Sequence, residues 1–370
     1  MESSLPLNGI CVLDLTQLLP GSLCSQILAQ LGADVIKVEN PAGGDSFRHY
    51  EPKADGTGIF FHAFNQNKRS VTLDIKSPQG QDGIKRIAKK ADIILENFRP
   101  DSIAKMGLGY DDISIINESI IYCSLTGFGQ DGPYKNRPSH DLNILSIAGV
   151  LDLFGTSGGA PIVPILQIAG VSGALHATIG ILSALITKGK TGKGCYIDIA
   201  LLDSVNPFAN MMMAQFIADA KQPQRGEAFL SGGSACYNVY ETLDGRYFSI
   251  GCVEEKFWKN FCHVINREDF VEHLFATSAK QKEMILVIRN ICKQKTLTEW
   301  IEILSSANIC FAPLHTLSET LDDEQVQHRK SWSYQKTKDG KEILCRNLPI
   351  KFSHTENLVM TNAPKLGEHT

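Results

Sequence analysis

The sequence predicts an α/β protein: a parallel sheet covered by helices, followed by a second, smaller α+β domain. Two observations carry this. In the first half, short apolar runs alternate with segments whose apolar residues recur at helical spacing. From about Ser231 the alternation gives way to a hairpin signal and a run of helices.

Each element follows from its local pattern. Ile10–Leu15 is a short apolar run of strand length, and Gly21–Gly32 then carries Leu23, Ile27, Leu28 and Leu31 on one helical face. Asp34–Val38 reads as a strand, Lys76–Lys90 as an amphipathic helix, and Asp92–Leu95 and Ile120–Leu125 as buried strands. Asp141–Leu153 and Val171–Lys188 read as helices, Tyr196–Ala200 as a strand, and Ser204–Ala218 as a Met-rich helix. Asp244-Gly245 between Tyr237–Tyr240 and Tyr247–Gly251 is a hairpin turn. Helices are expected at Glu255–Val264, Lys282–Lys293 and Thr298–Ser305, and a further hairpin at Lys338-Asp339-Gly340.

Composition removes several function classes. Of 370 residues, 43% are hydrophobic and 21% charged, the proportions of a soluble globular protein. The formal net charge is −4 with both signs mixed along the chain, so no clustered basic face points to nucleic acid. None of the ten cysteines forms a C-x-x-C pair, and thiols such as Cys11 and Cys123 sit in apolar runs, which fits reduced, buried cysteines. The N-terminus lacks a basic region followed by an apolar one, and the apolar stretch around Ile179–Ile186 reads as too short and too mixed to span a bilayer. The expectations are a cytoplasmic location and no membrane partner.

Some motifs fail on context. Gly189-Lys190-Thr191 ends like a phosphate loop, but Ala184 stands where the first glycine belongs, and a helix rather than a strand precedes it. No G-x-G-x-x-G follows the first strand. His62, His176, His263 and His315 have no partners at metal-ligand spacing, so no metal is expected.

Five segments form a constellation: LAQLGADVIKVE from Leu28 to Glu39, running on to Asp45; NQNKRSVTLDIK from Asn65 to Lys76; DIILENFRP from Asp92 to Pro100, with Lys105-Met106-Gly107 after it; LTGFGQDGPYKNRPSHD from Leu125 to Asp141; and GILSALITKGKTGKGCYIDIALLD from Gly180 to Asp203. In this order they resemble the family of type III CoA-transferases and α-methylacyl-CoA racemases, the carnitine-CoA transferase and bile-acid-inducible type, and more closely its racemase branch. The resemblance extends from about residue 7 through the closing Leu366-Gly367-Glu368-His369-Thr370; family members usually continue a little past this motif.

The resemblance implies a large Rossmann-like α/β CoA-binding domain from residues 1–225, a small α+β domain at 226–325, and a return to the large domain at 326–370. It also implies a homodimer of two interlocked rings. Its substrate is an acyl-CoA thioester, coenzyme A entering as part of that substrate with no further cofactor required. The positions that match its CoA contacts are Asn40, Thr72, Leu73, Asp74, Ile75, Lys76, Asn97, Phe98, Lys105, Met106, Ser139, Leu142 and Asn143. Lysines meet phosphates as point charges, and backbone and Phe98 hold the adenine. Where this chain has Asn40 the family usually has arginine, and at Lys105 often another, which weakens phosphate binding here.

For catalysis the resemblance implies His140, supported by Glu254 of the small domain, and an aspartate thirty residues after the histidine. Removing the proton α to a thioester carbonyl and returning one to the other face takes a base and a conjugate acid, roles suited to a histidine and a carboxylate. In the transferase branch the aspartate is instead a nucleophile. Gly170 occupies that aspartate position, and no Asp or Glu lies between Asp152 and Asp198. Three readings stay open: a racemase-like enzyme with Asp141 or water covering the missing role, a CoA-transferase using a displaced carboxylate, and a non-catalytic acyl-CoA binder or degenerate subunit that dimerises with an active relative. The Met-rich Asn210–Gln215 could line an acyl pocket, and core packing explains it equally well.

Overall fold

A computed structural model describes residues 5–337, 339–353 and 360–370. Six parallel strands form its main sheet: β1 (Cys11–Asp14), β2 (Asp34–Glu39), β3 (Lys68–Thr72), β4 (Ile93–Glu96), β5 (Ile121–Thr126) and β6 (Cys195–Ala200). Their spatial order is β3-β2-β1-β4-β5-β6. The chain therefore winds outward in one direction from β1 to β3 and in the other from β4 to β6. The reversal between β1 and β4 is the switch point of a doubly wound sheet.

Alternation along the strands builds two cores. Val12, Ile93, Leu95 and Cys123 face one side, where α1 (Leu18–Gln30) brings Leu28 and the long helix over Ile168–Thr191 brings Ile181. Leu13, Ile94 and Tyr122 face the other, against Ile84 of α2 (Pro78–Ala88) and Ile113 of α3 (Tyr110–Ile116). Both faces are covered, which is why these strands read as continuous apolar runs. Ser77 caps α2 by accepting the Gly80 amide at 3.0 Å, with Pro78 at the first helical position.

Two further helices of this unit are α4 (Asp141–Ile147) and α5 (Ile168–Thr191). The sequence reading of Ile179–Ile186 understates α5, which spans 24 residues and is long and apolar enough to cross a membrane by length and composition. Half of its apolar window is buried, through Ala174, Ala177 and Ile181 in the core. The closing residues run along β3: the Ser70 carbonyl accepts His369 N–H at 2.8 Å, and Thr370 Oγ1 accepts Thr72 N–H at 2.9 Å.

The chain divides into two units. One comprises residues 1–148, 165–208 and 324–370, and the other 149–164 and 209–323. After α6 (Leu201–Asp219), the second unit has an antiparallel sheet in the order β9 (Phe311–Pro313), β8 (Tyr247–Gly251), β7 (Tyr237–Glu241). The Asp244-Gly245 turn joins β7 to β8, with Gly245 at φ 70° and Thr242 N–H donating to Arg246 O at 2.9 Å. Its core holds Tyr240, Phe248, Trp258, Phe261 and Trp300, set by α7 (Glu255–Val264), α8 (Ser278–Cys292) and α9 (Leu297–Ser305). Both buried indoles are satisfied, Trp258 by Phe270 O at 2.9 Å and Trp300 by Cys292 O at 2.8 Å. In the first unit, β10 (Trp332–Lys336) and β11 (Glu342–Arg346) pair antiparallel. The hairpin predicted at Lys338-Asp339-Gly340 falls between them, and Lys338 lies outside the described residues.

Candidate active site

Because β1 to β6 are parallel, their carboxyl ends share one edge, and most of the expected coenzyme A residues stand there. Asn40 follows β2, Thr72 ends β3 with Leu73–Lys76 after it, and Asn97 and Phe98 follow β4. Asp74 shapes the β3 loop by accepting the Lys76 amide on Oδ1 at 3.0 Å, which leaves the Lys76 side chain exposed. Lys105 and Met106 sit in a 3-10 turn closed by Gly107 in the left-handed region. Neither Lys76 nor Lys105 forms an ion pair among the described residues, so both ammonium groups are available to an anion.

Asn97 is committed elsewhere. Its Nδ2 donates to Gln17 O at 2.8 Å and its Oδ1 accepts Gln17 N–H at 3.0 Å, tying β4 to β1 across the switch point. Thr72 is occupied by Thr370, with hydroxyl oxygens 3.0 Å apart. These side chains shape the edge.

The β1–α1 turn is held from beneath by buried charge. Leu18 stands at φ 62°, a conformation that costs a non-glycine residue of order 1–3 kcal/mol and needs support from its surroundings. Lys37, fully buried, donates to Thr16 O at 2.8 Å and lies 2.9 Å from the Asp45 carboxylate. Asp45 also accepts the Phe47 amide at 3.0 Å. Asp14 accepts hydroxyls from Ser25 and Thr16, each at 2.6 Å, and lies 3.3 Å from Lys68 Nζ. Burial alone would push the Asp14 carboxyl up, yet Lys37, Lys68 and the two hydroxyls hold it at about 2. Burial brings the Lys68 ammonium down to about 8, against the pull of Asp14.

His140 and Asp141 begin α4. The His140 amide donates to Asn143 Oδ1 at 2.9 Å, and its side chain is exposed. The Asp141 carboxylate turns to the start of α5, accepting the Gly170 amide at 2.8 Å and bonding with the amides of Ala169 and Ile168. Gln167, the residue preceding α5, offers no side-chain cap, so Asp141 caps that helix from outside its own segment. Burial nevertheless raises the Asp141 carboxyl above its ordinary value, outweighing the three N–H groups. A Cβ on Gly170 would lie 3.0 Å from Leu19 Cδ2, 3.6 Å from Pro20 Cγ and 3.7 Å from Asp141 Oδ1. Position 170, Asp141 and the β1–α1 turn thus meet. Ser139 packs on Gly127, where a Cβ would come within 2.3 Å of its hydroxyl, and Leu142 is exposed. Asn143 spends its side-chain oxygen on His140, and Glu254 belongs to the other unit, where it precedes α7.

Sequence reasoning missed a row of polar groups across the sheet. Glu96, Ser124 and Asp198 are register partners on β4, β5 and β6. The Tyr196 hydroxyl donates to Ser124 Oγ at 3.0 Å, and Glu96 Oε2 accepts the Phe98 amide at 2.8 Å. Burial pushes the Glu96 carboxyl up to about 7, although the Ser124 hydroxyl and the Phe98 amide favour its ionised form. The available signal was one acid ending the apolar run Ile93–Glu96. Among the described residues no group of His, Cys, Asp and Glu is placed to hold a metal ion.

A doubly wound sheet whose switch-point loops carry exposed lysines, with a His-Asp pair beside a helix start, leaves an edge open to an anionic ligand. The family model for CoA-transferase family III matches residues 7–370, and the chain belongs to that family. Succinate–glutarate CoA-transferase of Agrobacterium fabrum is 32% identical over 378 residues, covering 98% of this chain and 94% of that protein. Human α-methylacyl-CoA racemase is 29% identical over 366 residues, covering 98% and 91%. The crystal structure of a CAIB/BAIF family protein from Brucella suis superposes with a TM-score of 0.87 at 31% identity, covering 98% of this chain and 97% of that one.

Proposed function

We propose that this protein binds an acyl-CoA thioester along the carboxyl ends of β1 to β4 and exchanges the proton α to the thioester carbonyl, with His140 as the base. On this reading 2-methylacyl-CoA thioesters epimerise when the proton returns to the opposite face, carried by water or by the Asp141 side. Lys76 and Lys105 meet the phosphates of coenzyme A, and Phe98 packs against the adenine.

The observation that carries the proposal is the state of the carboxylate at the start of α5. Residues Ile168, Ala169, Gly170 and Val171 supply none of their own. Asp141 supplies one, and it is turned to the backbone N–H groups of that helix start. Those N–H groups draw charge from the carboxylate and fix its direction, so Asp141 suits proton transfer better than attack. Acyl transfer is the second reading, favoured by similarity to transferases such as that of Agrobacterium fabrum.

A homodimer belongs to the same proposal. Val171, Leu175, Ile179 and Ile186 form an exposed apolar stripe on α5, and a second copy of the chain would remove it from water.

Incubation with one epimer of a 2-methylacyl-CoA and a free carboxylic acid in deuterated water tests the proposal. Deuterium at the α-carbon with loss of configuration supports it. CoA appearing on the free acid without α-exchange would replace it with the transferase reading, and binding without either product would leave an inactive binder.

A further inference from the structure

A cavity of about 330 Å³ lies at the amino edge of the main sheet, opposite the edge that carries Lys76. The helix α1 starts at the carboxyl end of β1 and runs back along the sheet, so Gln30 at its end stands at that amino edge and lines the cavity. The other walls come from residues 329–335, at the start of β10, and from residues 347–352, which follow β11. The volume is near the lower end for small-molecule sites.

Side chains fix these walls. Asn347 Nδ2 donates to Lys330 O at 2.8 Å, and Asn347 Oδ1 accepts the Ser333 hydroxyl at 2.9 Å. These bonds hold Lys330 at φ 51°, a left-handed conformation that a lysine rarely adopts without support. Gln30 is buried; it donates to Arg346 O at 2.8 Å and accepts the Arg346 guanidinium at 3.2 Å.

The charge of the cavity is of one sign. Arg329, Lys330 and Lys351 line it, and no described lining residue is acidic. None of the three forms an ion pair or a side-chain hydrogen bond among the described residues. Arg346, bonded to Gln30, is partly buried and also lacks a carboxylate partner among the described residues. Burial lowers its guanidinium below the ordinary value, yet it stays charged. A partly buried cation without a counter-charge, beside three more, is costly until an anion comes to it.

A single phosphate brings at most about two negative charges, and a diphosphate roughly three, the number of lining cations. Two further features select the body of the ligand. Phe352 offers an aromatic surface, and the buried Gln335 Oε1 has no hydrogen-bond partner, so it calls for an N–H donor. Adenine has both a face to stack and an amino group to donate.

We propose that this cavity binds an adenosine diphosphate group, its phosphates among Arg329, Lys330 and Lys351 and its adenine between Phe352 and Gln335. Free ADP and a second molecule of coenzyme A both carry that group. The site uses none of the residues assigned to α-proton exchange, so it stands or falls independently of that activity.

Titration calorimetry on the full chain with ADP, pyrophosphate, adenosine and coenzyme A tests it. ADP is expected to bind saturably, one per chain, with pyrophosphate and adenosine each at least tenfold weaker. Lys351→Glu, at an exposed position, is expected to weaken ADP at least tenfold. Phe352→Ala, also exposed, should weaken ADP and leave pyrophosphate unchanged. Lys76→Glu combined with Lys105→Glu, which strips the other edge of its free lysines, should leave ADP binding as it was. Coenzyme A binding two per chain in the native protein and one in Lys351→Glu would support the site with coenzyme A as a source; one in both, with ADP binding lost in Lys351→Glu, would support it for the free nucleotide. No ADP binding, pyrophosphate as tight as ADP, or ADP binding that survives Lys351→Glu would overturn the proposal.

Discussion

The Asp141 carboxylate accepts the Gly170 amide at 2.8 Å, so the acid beside His140 serves as the cap of a helix that begins 27 residues later. This bond joins the starts of α4 and α5. Asp141→Ala removes the acceptor from a partly buried helix start and is expected to cost roughly 1–2 kcal/mol in urea unfolding. Asp141→Asn keeps one acceptor oxygen and is expected to cost less than half as much. Equal losses would mean that charge, not capping, is what the fold needs there.

Gly170→Asp places a second carboxylate where a Cβ already lies 3.7 Å from Asp141 Oδ1, and the 3.0 Å approach to Leu19 Cδ2 involves the movable end of a side chain. Two carboxylates this close cannot both ionise easily, so one is expected to titrate well above the ordinary range. The ratio of inversion to α-deuteration should rise at least tenfold as a one-base exchange gains a second base. An unchanged ratio would show that position 170 does not face the reacting carbon.

Glu96 ties folding to pH. Its folded carboxyl is raised from 4.5 to about 7, so between those values the folded state holds a proton that the unfolded state has lost. Stability therefore falls as pH rises through that window, by an amount on the order of 3 kcal/mol. Glu96→Gln removes this dependence while keeping an acceptor for the Phe98 amide. It should raise the thermal midpoint at pH 8 and change it little at pH 4.5. Stabilisation of the same size at both would refute the assignment.

Lys68 is a buried cation whose removal leaves the buried Asp14 with Lys37 alone, 4.0 Å away. It contacts Asp14 at 3.3 Å, Ser25 Oγ at 2.7 Å and Asn65 Oδ1 at 2.8 Å. Lys68→Met keeps the length and loses the charge, and is expected to cost about 3–5 kcal/mol. Lys68→Met combined with Asp14→Asn should recover part of that loss, which unfolding curves of the single and double variants would show.

The periodic parts of the fold were legible in the sequence. Ile10–Leu15, Asp34–Val38, Asp92–Leu95, Ile120–Leu125 and Tyr196–Ala200 all fall on sheet strands: burial on both faces makes central runs such as Ile93–Leu95 apolar, and the edge strand over Tyr196–Ala200 alternates. Lys68–Thr72 escaped as a strand: it begins Lys-Arg, and nothing local shows that Lys68 turns inward to Asp14. His140 and the strand-end loops came from motif order. Their partners, Gln17 for Asn97, Thr370 for Thr72 and Gly170 for Asp141, lie too far along the chain for local patterning to reveal. The clamp of Arg225 on Asp152 is equally invisible, since a salt bridge across 73 positions leaves no period behind.

The most direct measurement is the rate of deuterium incorporation at the α-carbon of a 2-methylacyl-CoA thioester in deuterated water, followed by mass spectrometry for the native chain and for His140→Ala. The account predicts exchange by the native chain and a loss of at least about 100-fold in the variant, the scale of a removed general base, with coenzyme A binding retained through Lys76 and Lys105. Exchange undiminished in His140→Ala, or acyl transfer by the native chain with no exchange, would contradict it.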